Sequence, residues 1–177
     1  CGGLTFLPYL GGERTPDWPQ ATGALLGLNP SNMDCLGGGR PGLIYRAAME
    51  GLTYLMADAL STMVEACGDG FRPKSFLLVG GGSKNRLWRQ MLADVLGAEL
   101  RFPQEAESAA LGAALQAGAA ASGVDVAKFV EGRTVDLDDE VVVPTKNQQT
   151  LELYREGLTR YRTLSGRLYA DNRENQL

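Results

Sequence analysis

The segment of the sequence best suited to bind a ligand is a glycine-rich turn. The apolar run Phe76–Val79 predicts a strand, and Gly80, Gly81 and Gly82 follow it before a helical pattern begins at Asn85. Glycine lets a ligand approach the backbone closely, because no side chain stands in the way. The first turn of a helix also offers unbonded N–H groups and the positive end of the helix dipole. A turn of this composition could therefore hold an anion or a nucleotide.

The residues of this turn fit neither of the two common phosphate-binding motifs. The sequence GGGSKNRL lacks the spacing of a Walker A loop, and no glycine lies three residues after Gly82, as the dinucleotide fingerprint requires. Ser83 and Asn85 could each cap the helix or form a hydrogen bond with a ribose or a base. The residues alone leave two interpretations open, a tight turn without a ligand and a ligand site.

The composition excludes several classes of chemistry. The 177 residues include no histidine, so His-based acid–base catalysis, Ser–His nucleophiles and most zinc sites are excluded. The net charge is -4 and the basic residues are scattered, which predicts no nucleic-acid surface. No apolar stretch is long enough to predict a membrane span. The three cysteines lack CxxC spacing, which suits a reducing compartment. We therefore expect a cytoplasmic protein without nucleic-acid or membrane partners.

Two other segments each allow a structural and a functional interpretation. In ESAALGAAL, Ala109, Gly112 and Ala113 form a helix face with almost no side chains, which is typical of tight helix packing or of a hinge between domains. In GERTP, Glu13 and Arg14 lie in a loop next to a proline. They form either a surface ion pair or part of a loop at the mouth of a cleft.

The acidic segment 131–140 is predicted to be a solvated loop. Its carboxylates do not have the spacing of a calcium-binding loop, so no metal site is assigned to it. The four acidic residues that could have formed one are Asp136, Asp138, Asp139 and Glu140.

The elements that position these segments alternate between strands and helices, which indicates an α/β protein. Glycines end two of the helical patterns, and the last helix has apolar residues near heptad spacing, from Leu151 to Leu168, so that one face must pack. The segment MDCLGGGRPG is predicted to be a flexible connection from its composition. The predicted elements are a strand in LTFLPYL, a hairpin-like GALLGLNPSN, a helix over 43–67, a strand over 76–79, a helix over 85–96, a strand over 98–102, a small-residue helix over 107–123 and the last helix.

Read together, these segments resemble a known family. LTFLPYLGGERTPDWP, GALLGL, RAAMEGLTYLMADAL, LLVGGGSKNRLWRQMLADVLG and ESAALGAAL occur in this order, and they resemble the C-terminal half of the FGGY carbohydrate kinases. The similarity is greatest to the xylulokinases of that family, and it extends from about Leu4 to Tyr169. No single segment is specific, but the set is.

The resemblance implies an actin-like ATPase fold of the ribonuclease H-like type, with a mixed sheet flanked by helices. Residues 1–177 would be part of the C-terminal nucleotide-binding domain, and nucleotide would lie in a cleft between two domains. Gly80, Gly81, Gly82, Ser83 and Asn85 would lie against the adenosine of ATP or ADP. Mg²⁺ would be held mainly by the phosphates and by carboxylates.

The resemblance also implies what this chain lacks. In that family the catalytic aspartate, the sugar-binding residues and the Thr/Gly-rich phosphate turn precede the segment present here. No catalytic residue and no metal ligand is therefore assigned in these residues, and we expect this chain alone to be inactive. The ketose substrate, D-xylulose by the resemblance, would bind through the missing N-terminal domain. The helix over Ala109–Ala114 would connect the two domains, and a homodimer or a partner chain is compatible with the resemblance.

Two alternatives remain beside this hypothesis. The chain could be a non-catalytic interaction module derived from a sugar kinase, with a partner on the apolar face from Leu151 to Leu168. It could also belong to another actin-like ATPase without sugar chemistry.

The sequence departs from the family in the link before Leu43. This link is longer than in the family, and Leu43 stands where the family has a polar residue. Both differences affect the geometry expected beside the cleft.

Overall fold

A computed structural model describes residues 1–68, 70–104, 107–132 and 136–170. The chain divides into two compact units: unit 1 is Cys1–Arg72, Asp94–Leu96 and the part from Thr145 onward, and unit 2 is Pro73–Ala93 and Gly97–Pro144. In chain order the elements are β1 (Thr5–Leu7), β2 (Ala24–Leu26), α1 (Gly42–Cys67), β3 (Ser75–Leu77), α2 (Arg86–Leu96), β4 (Glu99–Pro103), α3 (Ser108–Ala121), α4 (Val126–Val130), β5 (Leu137–Val142) and α5 (Gln148–Ser165).

Unit 1 consists of a hairpin covered by two long helices. Strands β1 and β2 pair antiparallel, and both α1 and α5 pack on β1. Two glycines inside helices allow the close approach: a Cβ on Gly51 would overlap the carbonyl of Phe6, and a Cβ on Gly157 would overlap the phenol of Tyr54. Both glycines are therefore needed for packing, although glycine is a poor helix former.

The core of unit 1 includes an aromatic cluster around Tyr9. The hydroxyl of Tyr161 donates to that of Tyr9 at 2.8 Å, and both residues are buried. Trp18 and Tyr169 contact the Tyr9 ring edge-on, and Tyr54 contacts Tyr161. Burial is the main cause that raises the pKa of Tyr9, Tyr54 and Tyr161 above the ordinary value. These phenols are therefore neutral parts of the core.

Unit 2 contains a mixed three-stranded sheet in the order β3-β4-β5. Strand β3 is parallel to β4, and β4 is antiparallel to β5. Helix α2 ends at Gly97, whose φ of 64° gives the left-handed cap that glycine adopts easily. Helix α3 packs against α4, where the ring of Phe129 lies over Gly118. This arrangement confirms the expected combination of a mixed sheet with helices.

The predicted helices are confirmed more closely than the loops. The helices expected over 43–67 and 85–96 lie at Gly42–Cys67 and Arg86–Leu96. The prediction of a loop over 131–140 is wrong at its end, because β5 begins at Leu137; residues 133–135 lie outside the described part. None of the helices described is long and apolar enough to cross a membrane.

One arginine contributes to the path of the link before α1, and the flexibility of MDCLGGGRPG stays a prediction. The guanidinium of Arg40 donates to the carboxylate of Asp34 at 2.6 and 2.7 Å and to the carbonyl of Ser31 at 2.6 Å. The same contact lowers the pKa of the Asp34 carboxyl. A long link can therefore still have a defined path.

Candidate functional site

The glycine turn of unit 2 lies between β3 and α2. Gly80 has a φ of 89°, a conformation that side chains disfavour, and Gly81–Lys84 form one turn of 3₁₀ helix. Ser83 closes the turn, because its backbone N–H and its hydroxyl both donate to the carbonyl of Gly80, at 3.1 and 2.7 Å. The sequence therefore needs glycine at the first position for the backbone and serine at the fourth to close it.

Asn85 caps helix α2, which is one of the two roles that the sequence predicts for it. Its side-chain oxygen accepts from the backbone N–H of Trp88 at 3.1 Å, while its own N–H donates to the carbonyl of Gly82 at 3.1 Å. This is the position at which asparagine stabilises the start of a helix. The side-chain oxygen of Asn85 is therefore engaged in α2.

The three glycines of the turn differ in their surroundings. Beyond its adjacent residues, a Cβ added at Gly80 or Gly81 would meet no described residue within 4 Å, and both glycines are exposed. A Cβ on Gly82 would instead overlap the indole ring of Trp88. All three glycines are exposed, but only Gly80 and Gly81 have open space at the Cβ position, whereas Gly82 makes room for Trp88.

Arg89 is a residue of this site that the sequence analysis missed. Its Nε donates to the carbonyl of Ser83, and its Nη1 lies 2.5 Å from the Glu140 carboxylate. Its guanidinium carbon lies 3.9 Å from the ring centroid of Phe102. Arg89 follows Asn85 by four residues, so that both lie on one side of α2, and it belongs to the segment LLVGGGSKNRLWRQMLADVLG that resembles the family.

The small-residue face of α3 is uncovered in the part of the chain that the structure describes. Ala109, Gly112 and Ala113 are all exposed, and a Cβ on Gly112 would meet nothing within 4 Å. The tight packing that one interpretation predicts is therefore not made by the described residues. The predicted role as a connection between domains stays a prediction.

The charged segments have local roles. The Glu13 carboxylate accepts from the backbone N–H groups of Arg14 and Thr15, at 2.7 and 3.1 Å, and so shapes its own loop. On β5, Asp138 and Asp139 are exposed, and Glu140 pairs with an arginine. Among the described residues, no group of three or more His, Cys, Asp or Glu side chains could hold a metal ion.

The face of α5 that was expected to bind a partner is largely used inside unit 1. Tyr154 and Tyr161 are buried, and Leu151 and Leu158 are half-buried, whereas Leu168 is exposed. The packing that its heptad spacing predicts is confirmed for the two tyrosines. The prediction that this face awaits another protein is wrong for its central part, because α1 and β1 already contact α5.

Comparison with known proteins decides the family. The model of the FGGY family of carbohydrate kinases, C-terminal domain, matches residues 1–121. The chain belongs to the FGGY family. This FGGY chain is 35% identical to the xylulose kinase of Haemophilus influenzae over 169 residues, which are 96% of this chain and 32% of the relative. It is 36% identical to the gluconokinase of Bacillus licheniformis over 115 residues, 64% of this chain and 20% of the relative.

Solved structures agree with this assignment. The FGGY chain matches the crystal structure of ligand-bound xylulose kinase from Lactobacillus acidophilus with a TM-score of 0.69 and 26% identity, over 93% of this chain and 31% of that one. Its fold is the actin-like ATPase fold that the resemblance implied. The chain spans about a third of the length of the curated relatives it matches over nearly all its residues.

Proposed function

We infer that this chain is the C-terminal, nucleotide-binding portion of an ATP-dependent sugar kinase. Its role in the reaction would be to bind the adenosine of ATP or ADP on the turn from Gly80 to Asn85. The whole enzyme would transfer the γ-phosphoryl group of ATP to a ketose hydroxyl, whose proton passes to a base outside these residues. Because the matched family domain is the C-terminal one, the sugar site and that base are assigned to the portion that precedes it.

One observation carries this proposal: the backbone of Gly80 and Gly81 is exposed, and beyond the adjacent residues no atom of the described part of the chain lies within 4 Å of the Cβ position at either residue. A flat adenosine could lie there on bare backbone, because no side chain needs to be displaced. The other three residues also have roles within the turn, and their contact with the adenosine stays a proposal. Gly82 accommodates Trp88, Ser83 closes the turn and Asn85 caps α2.

We propose that the ligands of Mg²⁺ lie mainly outside this chain. The described residues present no carboxylate cluster that could hold a metal ion, so the ion would bind to the nucleotide phosphates and to carboxylates of the preceding portion. When bound, it would neutralise charge on the phosphates during transfer. The part of this chain in the reaction is therefore to orient the nucleotide.

D-xylulose is the substrate we propose, with D-xylulose 5-phosphate as the product. The support is the name of several relatives, among them the Haemophilus influenzae xylulose kinase. A gluconokinase is a relative at similar identity, and we assign the choice of sugar to residues outside this chain. Sugar phosphorylation by the whole enzyme, tested with D-xylulose and gluconate side by side, decides between them.

The test of the nucleotide site is a calorimetric titration of this chain with MgADP. We expect saturable binding, and we expect Gly81→Val to weaken it at least ten-fold, about 1.4 kcal/mol. The valine would stand in open space, so the fold should tolerate it while the nucleotide surface is filled. The matched control is Gly37→Val, because Gly37 is also exposed, has nothing within 4 Å of its Cβ position and lies in unit 1.

Unchanged MgADP affinity in a folded Gly81→Val variant would refute the proposal that this turn binds the adenosine. No binding by the unchanged, folded chain would instead favour the second candidate function, a non-catalytic interaction module. The observation that favours the second candidate is the exposed face of Ala109, Gly112 and Ala113 on α3, on which another polypeptide could pack closely. In either case we expect no sugar phosphorylation by this chain alone.

A further inference from the structure

One side chain connects the glycine turn to the two strands farther along the chain in unit 2. Arg89, on α2, donates from Nε to the carbonyl of Ser83 in the turn. Its guanidinium lies over the ring of Phe102 on β4, 3.9 Å from the centroid, and its Nη1 is 2.5 Å from the carboxylate of Glu140 on β5. The Arg89 side chain is only 13% exposed. The position of its guanidinium is therefore determined by contacts with the turn, with β4 and with β5.

Arginine is suited to this place and lysine is not. The guanidinium is planar, presents its N–H donors in fixed directions and stacks on an aromatic ring, so it can satisfy all three contacts in one position. A lysine ammonium is a point charge on a flexible chain. It could keep one charge contact with Glu140, but it could not at the same time hold the carbonyl of Ser83 and cover the ring of Phe102.

The contacts continue from Arg89 to the open glycines. The carbonyl that Arg89 holds belongs to Ser83, whose N–H and hydroxyl in turn hold the carbonyl of Gly80. Asn85 fixes the start of α2. The side-chain contacts of Arg89 therefore join the turn to β4 and β5, in addition to the chain itself, which runs from β3 into the turn.

We propose that Arg89 is a positioning residue for nucleotide binding, which holds the turn at Gly80 and Gly81 in the shape that accepts an adenosine. Arg89 acts through Ser83. This inference rests on the proposed function of the turn. It adds the prediction that affinity depends on a buried arginine behind the turn as well as on the glycines at its surface.

The test compares Arg89→Lys with Arg101→Lys. Arg101 is a matched control, because it lies in unit 2 and pairs with Glu99 at 2.7 Å, but its side chain is 48% exposed. Calorimetry gives the affinities for MgADP and for adenosine. We expect Arg89→Lys to weaken both by the same factor, about five-fold or more, and Arg101→Lys to leave both unchanged. Equal loss of both ligands locates the effect at the adenosine rather than at the phosphates.

A second measurement reports the turn without any ligand. The chain has two tryptophans, and the ring of Trp88 lies against Gly82 in the turn. In a Trp18→Phe background, the fluorescence of Trp88 and its quenching by acrylamide therefore report the packing of the turn. We expect Arg89→Lys to increase the quenching and Arg101→Lys to leave it unchanged.

Each outcome either supports or overturns the proposal. Lower affinity for both ligands together with greater quenching supports it. Unchanged affinities in Arg89→Lys overturn it, even if the variant unfolds more easily, because Arg89 would then only stabilise unit 2. Failure of the unchanged chain to bind MgADP overturns the proposed function and the nucleotide part of this inference. Quenching then still shows whether Arg89 holds the turn, and unchanged quenching overturns that part as well.

Discussion

The contact between Gly51 and β1 allows a sharp test of the packing in unit 1. In Gly51→Ala, the added methyl group would overlap the carbonyl oxygen of Phe6 and press on its carbonyl carbon. Both atoms are backbone, and Phe6 is paired with Leu25 of β2 in the hairpin. No flexible side chain can move aside, so either α1 must withdraw from β1 or the hairpin must shift.

The magnitude follows from two opposing terms. Alanine in place of glycine inside a helix is worth about 1 kcal/mol in favour of the variant. Overpacking against a fixed neighbour costs about 1–3 kcal/mol and occasionally more, and a backbone neighbour belongs at the upper end of that range. We therefore expect Gly51→Ala to lower the free energy of unfolding by about 2 kcal/mol, or the melting temperature by about 4–8 °C for a chain of this size.

The assay is urea unfolding followed by circular dichroism at 222 nm, with Gly42→Ala as the control. Gly42 is the first residue of the same helix and has nothing within 4 Å of its Cβ position. Its replacement should be neutral, or stabilising by less than about 1 kcal/mol. If Gly51→Ala were as stable as the unchanged chain, the close approach of α1 to β1 would be refuted as the reason for this glycine.

Two further predictions concern the cap of α2 and the tyrosines of the core. Asn85→Ala should lower the free energy of unfolding by about 1 kcal/mol, whereas Asn85→Asp should preserve it because aspartate caps equally well; weaker MgADP binding by Asn85→Asp would reveal a ligand role beyond the cap. Burial raises the pKa of Tyr54 and Tyr161 above the unfolded value of 10.0, so the unfolded state loses these protons first. The free energy of unfolding should therefore fall above about pH 10, by up to about 1.4 kcal/mol per pH unit for each tyrosine. Urea midpoints between about pH 9 and 11 test this, Tyr161→Phe should decline less steeply, and a flat profile would contradict it.

The long helices could be predicted from the sequence because the signals that define them are local. Apolar spacing and the glycines at their ends place α1 and α2 within one residue of their observed bounds. The start of β5 could not be predicted in this way. Asp138 and Asp139 have low strand propensity, but they lie exposed on an edge strand, where pairing with β4 decides the structure and charges are tolerated.

The glycines of the candidate site could be predicted from the sequence, but the side chains that hold the turn in place could not. Three consecutive glycines after an apolar run indicate a turn that a ligand can approach. The sequence does not tell which glycine faces open space, because that depends on where the ring of Trp88 lies. Nor does it pair Arg89 with Glu140, since the two are 51 residues apart and meet only when α2 and β5 fold in unit 2.

The division of unit 1 along the chain has a consequence for synthesis on the ribosome. Its first part ends at Arg72 and its last part begins at Thr145, so the main segments of unit 2 are made in between. The buried hydrogen bond between Tyr9 and Tyr161 joins residues 152 positions apart. Until α5 has emerged, the rings of Tyr9 and Tyr54 lack their contacts with Tyr161, while the described strands of unit 2 have already been made. Unit 2 should therefore acquire structure first, and the unpaired aromatic residues of unit 1 should be the surface that chaperones bind during translation.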